Sequence, residues 1–382
     1  MKTITCLICL LFLVSCKSYG PLFSDAQATK ETRKRFQQLR TLSSQGVMIG
    51  YQDALAYGVG WTEDDNMCDM YRTSGEYPAV FGWDFGDIHK STNLDTVSFS
   101  KMVNWIKRVH LMGGINTISW HMDNPVTGAS SWDKADIAGL ILPGGEHHDK
   151  FIERLDKAAR LIKNCRNGNK PIPIIFRPFH EHNGDWFWWG KGNTSEEDYV
   201  ALYRFVFNYF TQVHGIHQLI YAFSPDRSRL KDTFSREEYL YAYPGDEYVD
   251  LLGLDNYQDV KVSENDSTKE QSIQKFILSL EILTDIAAEK GKVAALTETG
   301  LEGIKEKMWF TNRILEPLLS SEKAQRISYI HLWRNANTVH HYMIYPEHPN
   351  KDDFIEFVNE PIILTLKDIS HKKIRPNSFS AH

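Results

Sequence analysis

The sequence predicts a single-domain α/β protein, a (β/α)8 TIM barrel. Two observations support this prediction. The body of the chain contains eight short, apolar, β-rich segments, and stretches with apolar residues about 3.6 positions apart lie between them. Apolar segments that end in polar or aromatic residues are typical of buried parallel strands whose carboxyl ends carry the functional side chains. With 382 residues, 42% of them hydrophobic, the chain is long enough for one large core.

The predicted strands alternate with predicted helices along the body of the chain. The strand segments are residues 46–52, 79–85, 115–121, 172–179, 219–224, 250–257, 292–298 and 327–333. The helix segments with the clearest apolar spacing are residues 99–112, 151–164, 196–214, 273–290 and 310–320.

The N-terminus has the layout of a secretory signal. Lys2 is followed by an apolar or small run over residues 4–14, which is too short to span a membrane. The run ends in Leu-Val-Ser-Cys, which is similar to a bacterial lipobox in which Cys16 becomes the lipid-modified first residue. The alternative is an ordinary signal peptide with an incidental cysteine.

We expect an exported protein, lipid-anchored to the bacterial cell envelope. Residues 17–24 contain no acidic cluster, which favours the periplasmic face of the outer membrane.

The domain organisation follows from these segments. Residues 1–15 form the predicted lipoprotein signal peptide, and residues 16–40 a lipid-anchored tether that leads into a first helix. Residues 41–370 form the barrel, and residues 371–382 a polar tail.

The net charge indicates which kinds of ligand the protein can bind. The net charge of −6, with no basic face or arm, argues against nucleic acid and favours a neutral ligand. We expect a monomer that needs no cofactor or metal.

Of the five cysteines, only Cys68 and Cys165 belong to the folded body, as free thiols or as one bridge.

Two glutamates are the candidate catalytic residues. Glu181 follows the fourth predicted strand and Glu298 ends the seventh, so both side chains lie at the catalytic rim of the barrel. Three tryptophans follow Glu181 within eight residues, and paired carboxylates beside aromatic faces are typical of a sugar-cleaving site. The sequence therefore predicts a glycoside hydrolase. A retaining enzyme needs carboxyl groups about 5–5.5 Å apart and an inverting one about 6.5–9.5 Å, and the spacing along the chain leaves both open.

Local chemistry separates the roles of the two glutamates. Glu181 lies among histidine, phenylalanine and tryptophan, and partial desolvation raises the pKa of a carboxyl group, as a general acid requires. Glu298 lies between Thr297 and Thr299, whose hydroxyl groups can hydrogen-bond an ionised nucleophile. Arg177, inside the fourth strand, is expected to pair with a carboxylate beneath the site.

Several motifs carry a family resemblance. Residues 177–181 (Arg-Pro-Phe-His-Glu) and 183–190 (Asn-Gly-Asp-Trp-Phe-Trp-Trp-Gly) resemble the acid/base region of glycoside hydrolase family 26, whose best-known members are β-1,4-mannanases. The resemblance continues through residues 120–125, 254–257, 297–300 and 333–335, and so spans nearly all of the predicted mature chain. It implies a (β/α)8 barrel and a retaining double displacement on mannan or manno-oligosaccharides, with Glu181 as acid/base and Glu298 as nucleophile. Internal cleavage and release of mannobiose from chain ends both stay open.

The resemblance also implies substrate-binding residues. His180 and Tyr257 would hydrogen-bond the nucleophile, and His121 and Trp333 would shape the subsite of the attacked sugar. Trp186 would border the leaving-group side. Arg334 would bind a more distant sugar hydroxyl or pair with an acidic neighbour.

Weaker candidates surround these residues. The tryptophans that could line distal subsites or fill the core are Trp61, Trp83, Trp188 and Trp189. The long loop of residues 124–148, rich in glycine and polar residues, could build one end of the groove.

The sequence leaves three other interpretations open. His180-Glu181-His182 could belong to a metal hydrolase, although no third ligand has a recognisable spacing. A catalytically silent sugar-binding lipoprotein would not need an acid matched to a nucleophile. Within the family, a β-1,3-xylanase or a mixed-linkage β-glucanase would use the same mechanism on a different glycan.

Overall fold

The fold was taken from a computed structural model, which describes residues 23–231, 233–263 and 266–370. The predicted signal peptide (1–15), the lipidation site Cys16 and the tail (371–382) lie outside the described residues, so they stay predictions. Over the described part of the chain, no helix has both the length and the apolar character needed to cross a membrane.

Eight parallel strands form a closed barrel. Strands that are neighbours in the chain pair in parallel, and the eighth pairs back with the first. All of their residues are buried. The fold prediction is confirmed, and the predicted strand ends differ from the observed ones by at most two residues. The strands are β1 (Val47–Gln52), β2 (Val80–Asp84), β3 (Ile115–Trp120), β4 (Ile174–Pro178), β5 (Leu219–Phe223), β6 (Leu251–Asn256), β7 (Val293–Thr299) and β8 (Tyr329–Leu332).

Helices and short turns connect the strands on the outside of the barrel. The α-helices are Lys30–Leu42, Asp69–Ser74, Phe99–Met112, Ala138–Ile141, His148–Asn164, Glu196–Asn208, Arg236–Tyr239, Lys269–Lys290, Glu316–Leu319, Lys351–Asn359 and Leu366–Ile369. Two of the predicted helices contain π-helical turns, at Tyr209–Val213 and Phe310–Leu315. Short 3₁₀ turns occur at Arg227–Arg229, Glu302–Ile304 and Ala324–Arg326. Two-residue strands form hairpins at Tyr57–Gly58 with Trp61–Thr62 and at Arg166–Asn167 with Lys170–Pro171, and Ile363–Leu364 pairs with β1.

The helix Phe99–Met112 shows why these segments fold as they do. Phe99, Met102, Ile106 and Val109 recur at helical spacing, and all four are buried. The helix ends at Gly113, whose φ of 94° is in the left-handed region that glycine adopts without a Cβ clash. The apolar face therefore packs toward the barrel, and the chain turns directly into β3.

The N-terminal segment covers the end of the barrel opposite the candidate site. The helix Lys30–Leu42 is capped by Thr29, whose side chain accepts a hydrogen bond from the Thr32 N–H. Arg35 donates to the carbonyl oxygen of Gly114, just before β3, at 3.1 Å. The Ser24 N–H donates to the carboxylate of Asp250, just before β6, at 2.6 Å. The predicted lead-in helix is thus packed against the amino ends of the strands from its first turn.

Both cysteines of the described body, Cys68 and Cys165, are buried free thiols. Burial raises the pKa of each thiol to about 12. The free-thiol alternative is therefore the correct one.

Candidate active site

The candidate catalytic side chains lie at the carboxyl ends of β4, β6 and β7. Glu298 is the penultimate residue of β7, Asp255 that of β6, and Arg177 that of β4. Glu181 lies in the turn after β4, where its own φ is 54° and that of Phe179 is 50°. Two residues other than glycine in the left-handed region within three positions mark a strained turn, which is typical of functional sites. The Glu181 N–H donates to the carbonyl oxygen of Ser224 at 2.8 Å, which fixes the turn against the segment after β5.

Three carboxyl groups meet at one point. Single carboxyl oxygens of Glu181, Asp255 and Glu298 lie within 4.8 Å of one another. The guanidinium of Arg177 donates to Glu298 Oε1 at 2.6 Å and to Asp255 Oδ2 at 2.6 Å. Burial lowers the pKa of Arg177, but the charges of Asp255 and Glu298 outweigh burial and raise the pKa above its usual value. One guanidinium thus balances two buried carboxylates, as predicted for an arginine in this strand.

The third carboxyl group, on Glu181, is in a different environment. Its pKa is raised well above the usual value by burial first, and then by the negative charges of Asp255, Asp226 and Glu298. The indole N–H of Trp186 donates to Glu181 Oε2 at 2.7 Å. Glu181 therefore holds a proton more readily than an ordinary glutamate does.

Glu298 is surrounded by donors. In addition to Arg177, the hydroxyl of Tyr257 lies 3.5 Å from Glu298 Oε2. Burial and the charge of Glu298 raise the pKa of Tyr257 well above its usual value, so the phenol keeps its proton and remains a donor. Tyr257 therefore lies where the resemblance implies.

His121 and His180 form a hydrogen-bonded pair beside the carboxylates. His121 Nδ1 contacts Asp84 Oδ2 at 2.7 Å, and the Nε2 atoms of the two rings are 3.1 Å apart. Burial lowers the pKa of His121, but Asp84 outweighs burial and raises the pKa above its usual value. Burial, Arg177 and His121 lower the pKa of His180 well below its usual value. The two rings therefore share one hydrogen bond while their pKa values are shifted in opposite directions. The hydrogen bond of the His180 ring in this structure thus goes to His121.

The aromatic candidates divide into two groups. Trp333 is partly buried, with its ring centroid 5.7 Å from that of His121, and remains at the site. Trp188 and Trp189 are buried, and their indole N–H groups donate to the carbonyl oxygens of Met122 and His180. Trp61 and Trp83 are also buried, with their N–H groups bonded to side chains of the core. These four buried tryptophans therefore pack inside the protein and offer no ring face to a ligand.

Arg334 pairs with an acidic neighbour. Its guanidinium lies 3.1 Å from Asp95 Oδ1 and 3.5 Å from the hydroxyl of Tyr57. These contacts connect the loop after β8 with the loops after β2 and β1. Arg334 remains partly exposed beside Trp333, so the pairing does not remove it from the groove.

Sequence reasoning missed one aromatic residue of the rim. Trp132, in the loop of residues 124–148, is 62% exposed, and its ring meets the edge of Phe187 at a centroid distance of 5.2 Å. Phe187 in turn contacts His121 and His180. The available signal was a lone tryptophan in a loop of small and polar residues.

The two histidines that flank Glu181 have separate partners. His180 contacts His121, whereas His182 Nε2 bonds the carbonyl oxygen of Tyr241 at 2.8 Å and its ring stacks on Tyr199. The histidine pair that a metal site would need is therefore not assembled around Glu181.

Comparisons with known proteins agree with this geometry. The sequence model for glycosyl hydrolase family 26 matches residues 24–334. A mannan endo-1,4-β-mannosidase of Bifidobacterium adolescentis is 36% identical over 289 residues, which are 73% of this chain and 28% of that protein. The chain therefore spans little more than a quarter of the length of that relative. A Bacillus subtilis enzyme of the same name is 28% identical over 67% of this chain and 73% of its own length.

Solved structures extend the similarity over the whole barrel. A family 26 β-mannanase from Bacteroides ovatus superposes with a TM-score of 0.82 at 35% identity, covering 93% of this chain and 100% of that one. A modular endo-β-1,4-mannanase from Cellulomonas fimi gives a TM-score of 0.82 at 32% identity, covering 92% of this chain and 80% of that one. The chain therefore belongs to glycosyl hydrolase family 26.

Proposed function

We propose that the protein hydrolyses β-1,4-mannan and manno-oligosaccharides with retention of configuration, using Glu181 as acid/base and Glu298 as nucleophile. The observation that carries this proposal is the short distance between two carboxyl groups in opposite environments. Their nearest oxygens lie within 4.8 Å, and only Glu298 is paired with Arg177. This separation fits the short spacing of retaining enzymes better than the roughly 6.5–9.5 Å of inverting ones. The choice of mannan rests on the names of the relatives.

The geometry supports a double displacement. In the first step, a Glu298 oxygen attacks the anomeric carbon while Glu181 gives its proton to the glycosidic oxygen, so the C–O bond breaks and a glycosyl ester forms. In the second step, the Glu181 carboxylate removes a proton from water. The water oxygen attacks the anomeric carbon, and the ester bond to Glu298 breaks. Both glutamates return to their starting states.

The surrounding residues have roles that follow from their contacts. Arg177 and Tyr257 donate to the two oxygens of Glu298 and so fix its orientation. His121, fixed by Asp84, and Trp333 border the sugar that is attacked.

The other rim residues lie near this central subsite. Trp186 and Trp132 both contact Phe187, so they share one side of the groove, which is the leaving-group side. Arg334, next to Trp333, stays partly exposed and presents donors to sugar hydroxyls.

Product analysis tests the proposal against its alternatives. The mature protein is incubated with carob galactomannan, β-1,3-xylan and barley β-glucan in parallel, and reducing ends and product anomers are followed over time. We expect cleavage of mannan alone, with β-anomers formed first. Cleavage of another glycan would replace the substrate and keep the mechanism, early α-anomers would contradict retention, and binding without cleavage would favour the silent sugar-binding lipoprotein.

The lipid anchor is a separate proposal, supported by the lipobox-like sequence that ends at Cys16. The full chain expressed in a bacterial host should partition into detergent and incorporate labelled fatty acid. Cys16→Ala should abolish both. Equal labelling of the two forms would contradict lipidation at Cys16.

A further inference from the structure

Trp186, whose N–H contacts the acid/base candidate, packs against Gly184 and Arg229 in addition to Phe187. A Cβ atom on Gly184 would lie 2.3–2.4 Å from three atoms of the Trp186 six-membered ring, so the indole rests directly on the Gly184 backbone. The guanidinium carbon of Arg229 lies over the same indole, 5.0 Å from its ring centroid. This distance is within the range of cation–π attraction.

Arg229 is itself placed by the turn after β5. Asp226 caps the turn Arg227–Arg229 by accepting a hydrogen bond from the Ser228 N–H at 2.7 Å. Asn183 and Asp226 exchange two hydrogen bonds of 2.7 Å, which join the loop after β4 to the loop after β5. These bonds hold the backbone of Arg229 near the loop that carries Trp186.

The ion pair of Arg229 adds little attraction of its own. Its guanidinium also contacts the carboxylate of Asp185, but the two side chains are 47% and 55% exposed. Exposed ion pairs are weak because water screens them. The contact with the indole is thus the part of this arrangement that bears on the active site.

The indole N–H makes the two oxygens of Glu181 different from each other. Oε2 accepts the Trp186 N–H at 2.7 Å. Because the carbonyl oxygen of a protonated carboxyl group is a better acceptor than its hydroxyl oxygen, this bond favours the transferable proton on Oε1. We propose that Arg229 is a positioning residue for the general acid, which keeps the Trp186 N–H on Glu181 Oε2 and so leaves Oε1 to protonate the leaving group. This inference rests on the proposed acid/base role of Glu181.

The first test needs no substrate. In the ¹⁵N-labelled protein, the indole resonance of Trp186 is identified by its loss in Trp186→Phe, and its shift should change in Glu181→Gln. In Arg229→Ala we expect this resonance to move toward that of a solvent-exposed indole and to exchange faster with water. Lys231→Ala is the control, since Lys231 is 83% exposed and pairs with Glu238. A Trp186 resonance unchanged in Arg229→Ala would overturn the proposal.

The second test measures dependence on the acid. A dinitrophenyl β-mannobioside needs little protonation of its leaving group, whereas mannotetraose needs full protonation. Arg229→Ala should lower kcat/KM about tenfold on mannotetraose and less than twofold on the aryl substrate. Arg229→Lys should recover part of the loss, because it keeps the charge without the planar stack.

The two tests separate this inference from the proposed function. Equal loss on both substrates, or no loss on either, would contradict a positioning role for Arg229. If the wild-type enzyme cleaves neither substrate, the proposed function fails, and the Trp186 resonance still decides whether Arg229 holds the indole on Glu181.

Discussion

Arg177 Nη2 donates to Glu298 Oε1 at 2.6 Å, and both side chains are buried. The same guanidinium reaches Asp255 at 2.6 Å, so its charge is shared between two carboxylates. Glu181, the third carboxyl group of the centre, has an indole N–H as its partner instead. The two glutamates thus have different partners, as the proposed roles of nucleophile and acid require.

Replacement of Arg177 by methionine should damage stability and activity together. Two buried carboxylates would lose their counter-charge, and breaking a buried pair in this way costs about 3–5 kcal/mol. Glu298 would also lose the donor that orients it, so we expect kcat/KM to fall by at least roughly 10²-fold. Urea unfolding and steady-state kinetics on mannotetraose measure the two effects.

The control for this change is Arg236→Ala. Arg236 pairs with Glu289 at the surface, so its loss should change stability by less than about 1 kcal/mol and leave kinetics unchanged. Equal changes in stability and kcat/KM for Arg177→Met and Arg236→Ala would show that the buried pairing of Arg177 matters no more than a surface ion pair.

Glu181→Gln should stabilise the protein at neutral and alkaline pH. Because the pKa of folded Glu181 is raised, ionisation in the folded state is unfavourable, and stability falls as pH rises through that raised pKa. The glutamine variant has no carboxyl group to ionise, so its stability does not fall in this way, and its amide oxygen still accepts the Trp186 N–H. We expect a gain of about 0.5–2 kcal/mol at pH 8 that disappears near pH 4, below the pKa of an unfolded glutamate.

Thermal unfolding across this pH range checks the prediction. Glu237→Gln, at an exposed position, is the control and should show no pH-dependent gain. A constant difference between Glu181→Gln and the wild type at every pH would mean that titration of Glu181 is not its cause.

Trp132 and Trp188 should respond to substitution in opposite ways. Trp132→Ala removes an exposed ring, so KM for mannopentaose should rise about tenfold, equivalent to about 1.4 kcal/mol, with little change in Tm. Trp188→Ala removes a buried ring and should lower the free energy of unfolding by about 3–5 kcal/mol. A lower Tm of Trp132→Ala with an unchanged KM would show that Trp132 stabilises the fold and does not bind substrate.

The sequence predicted the barrel and the positions of the two glutamates at strand ends, because both depend on patterns within short stretches of the chain. Each strand is a short apolar run, and Glu181 and Glu298 mark the points where two of these runs end. The pairing of Arg177 with a carboxylate also followed, because a charged residue inside a buried strand needs a counter-charge.

The remaining features depend on contacts between distant segments. Adjacent tryptophans after Glu181 look alike in the sequence, but the fold buries Trp188 and Trp189 and leaves Trp186 at the rim. Trp132 becomes a rim residue only because its loop folds back onto Phe187. The sharing of Arg177 between Glu298 and Asp255 depends on the distance between β4, β6 and β7, which has no signature in the spacing of the residues.

The central claim, that the two glutamates have different roles, is tested most directly by rescue with azide. Glu298→Ala should lose roughly 10⁴-fold or more in kcat, and azide should partly restore turnover of an aryl mannobioside and give a glycosyl azide of inverted configuration. Glu181→Ala should keep most of its kcat/KM on the dinitrophenyl substrate while its kcat falls, because hydrolysis of the ester loses its base. It should lose about 10²–10⁴-fold in kcat/KM on mannotetraose and give an azide of retained configuration. Equal losses in both variants, without rescue in either, would contradict the assignment.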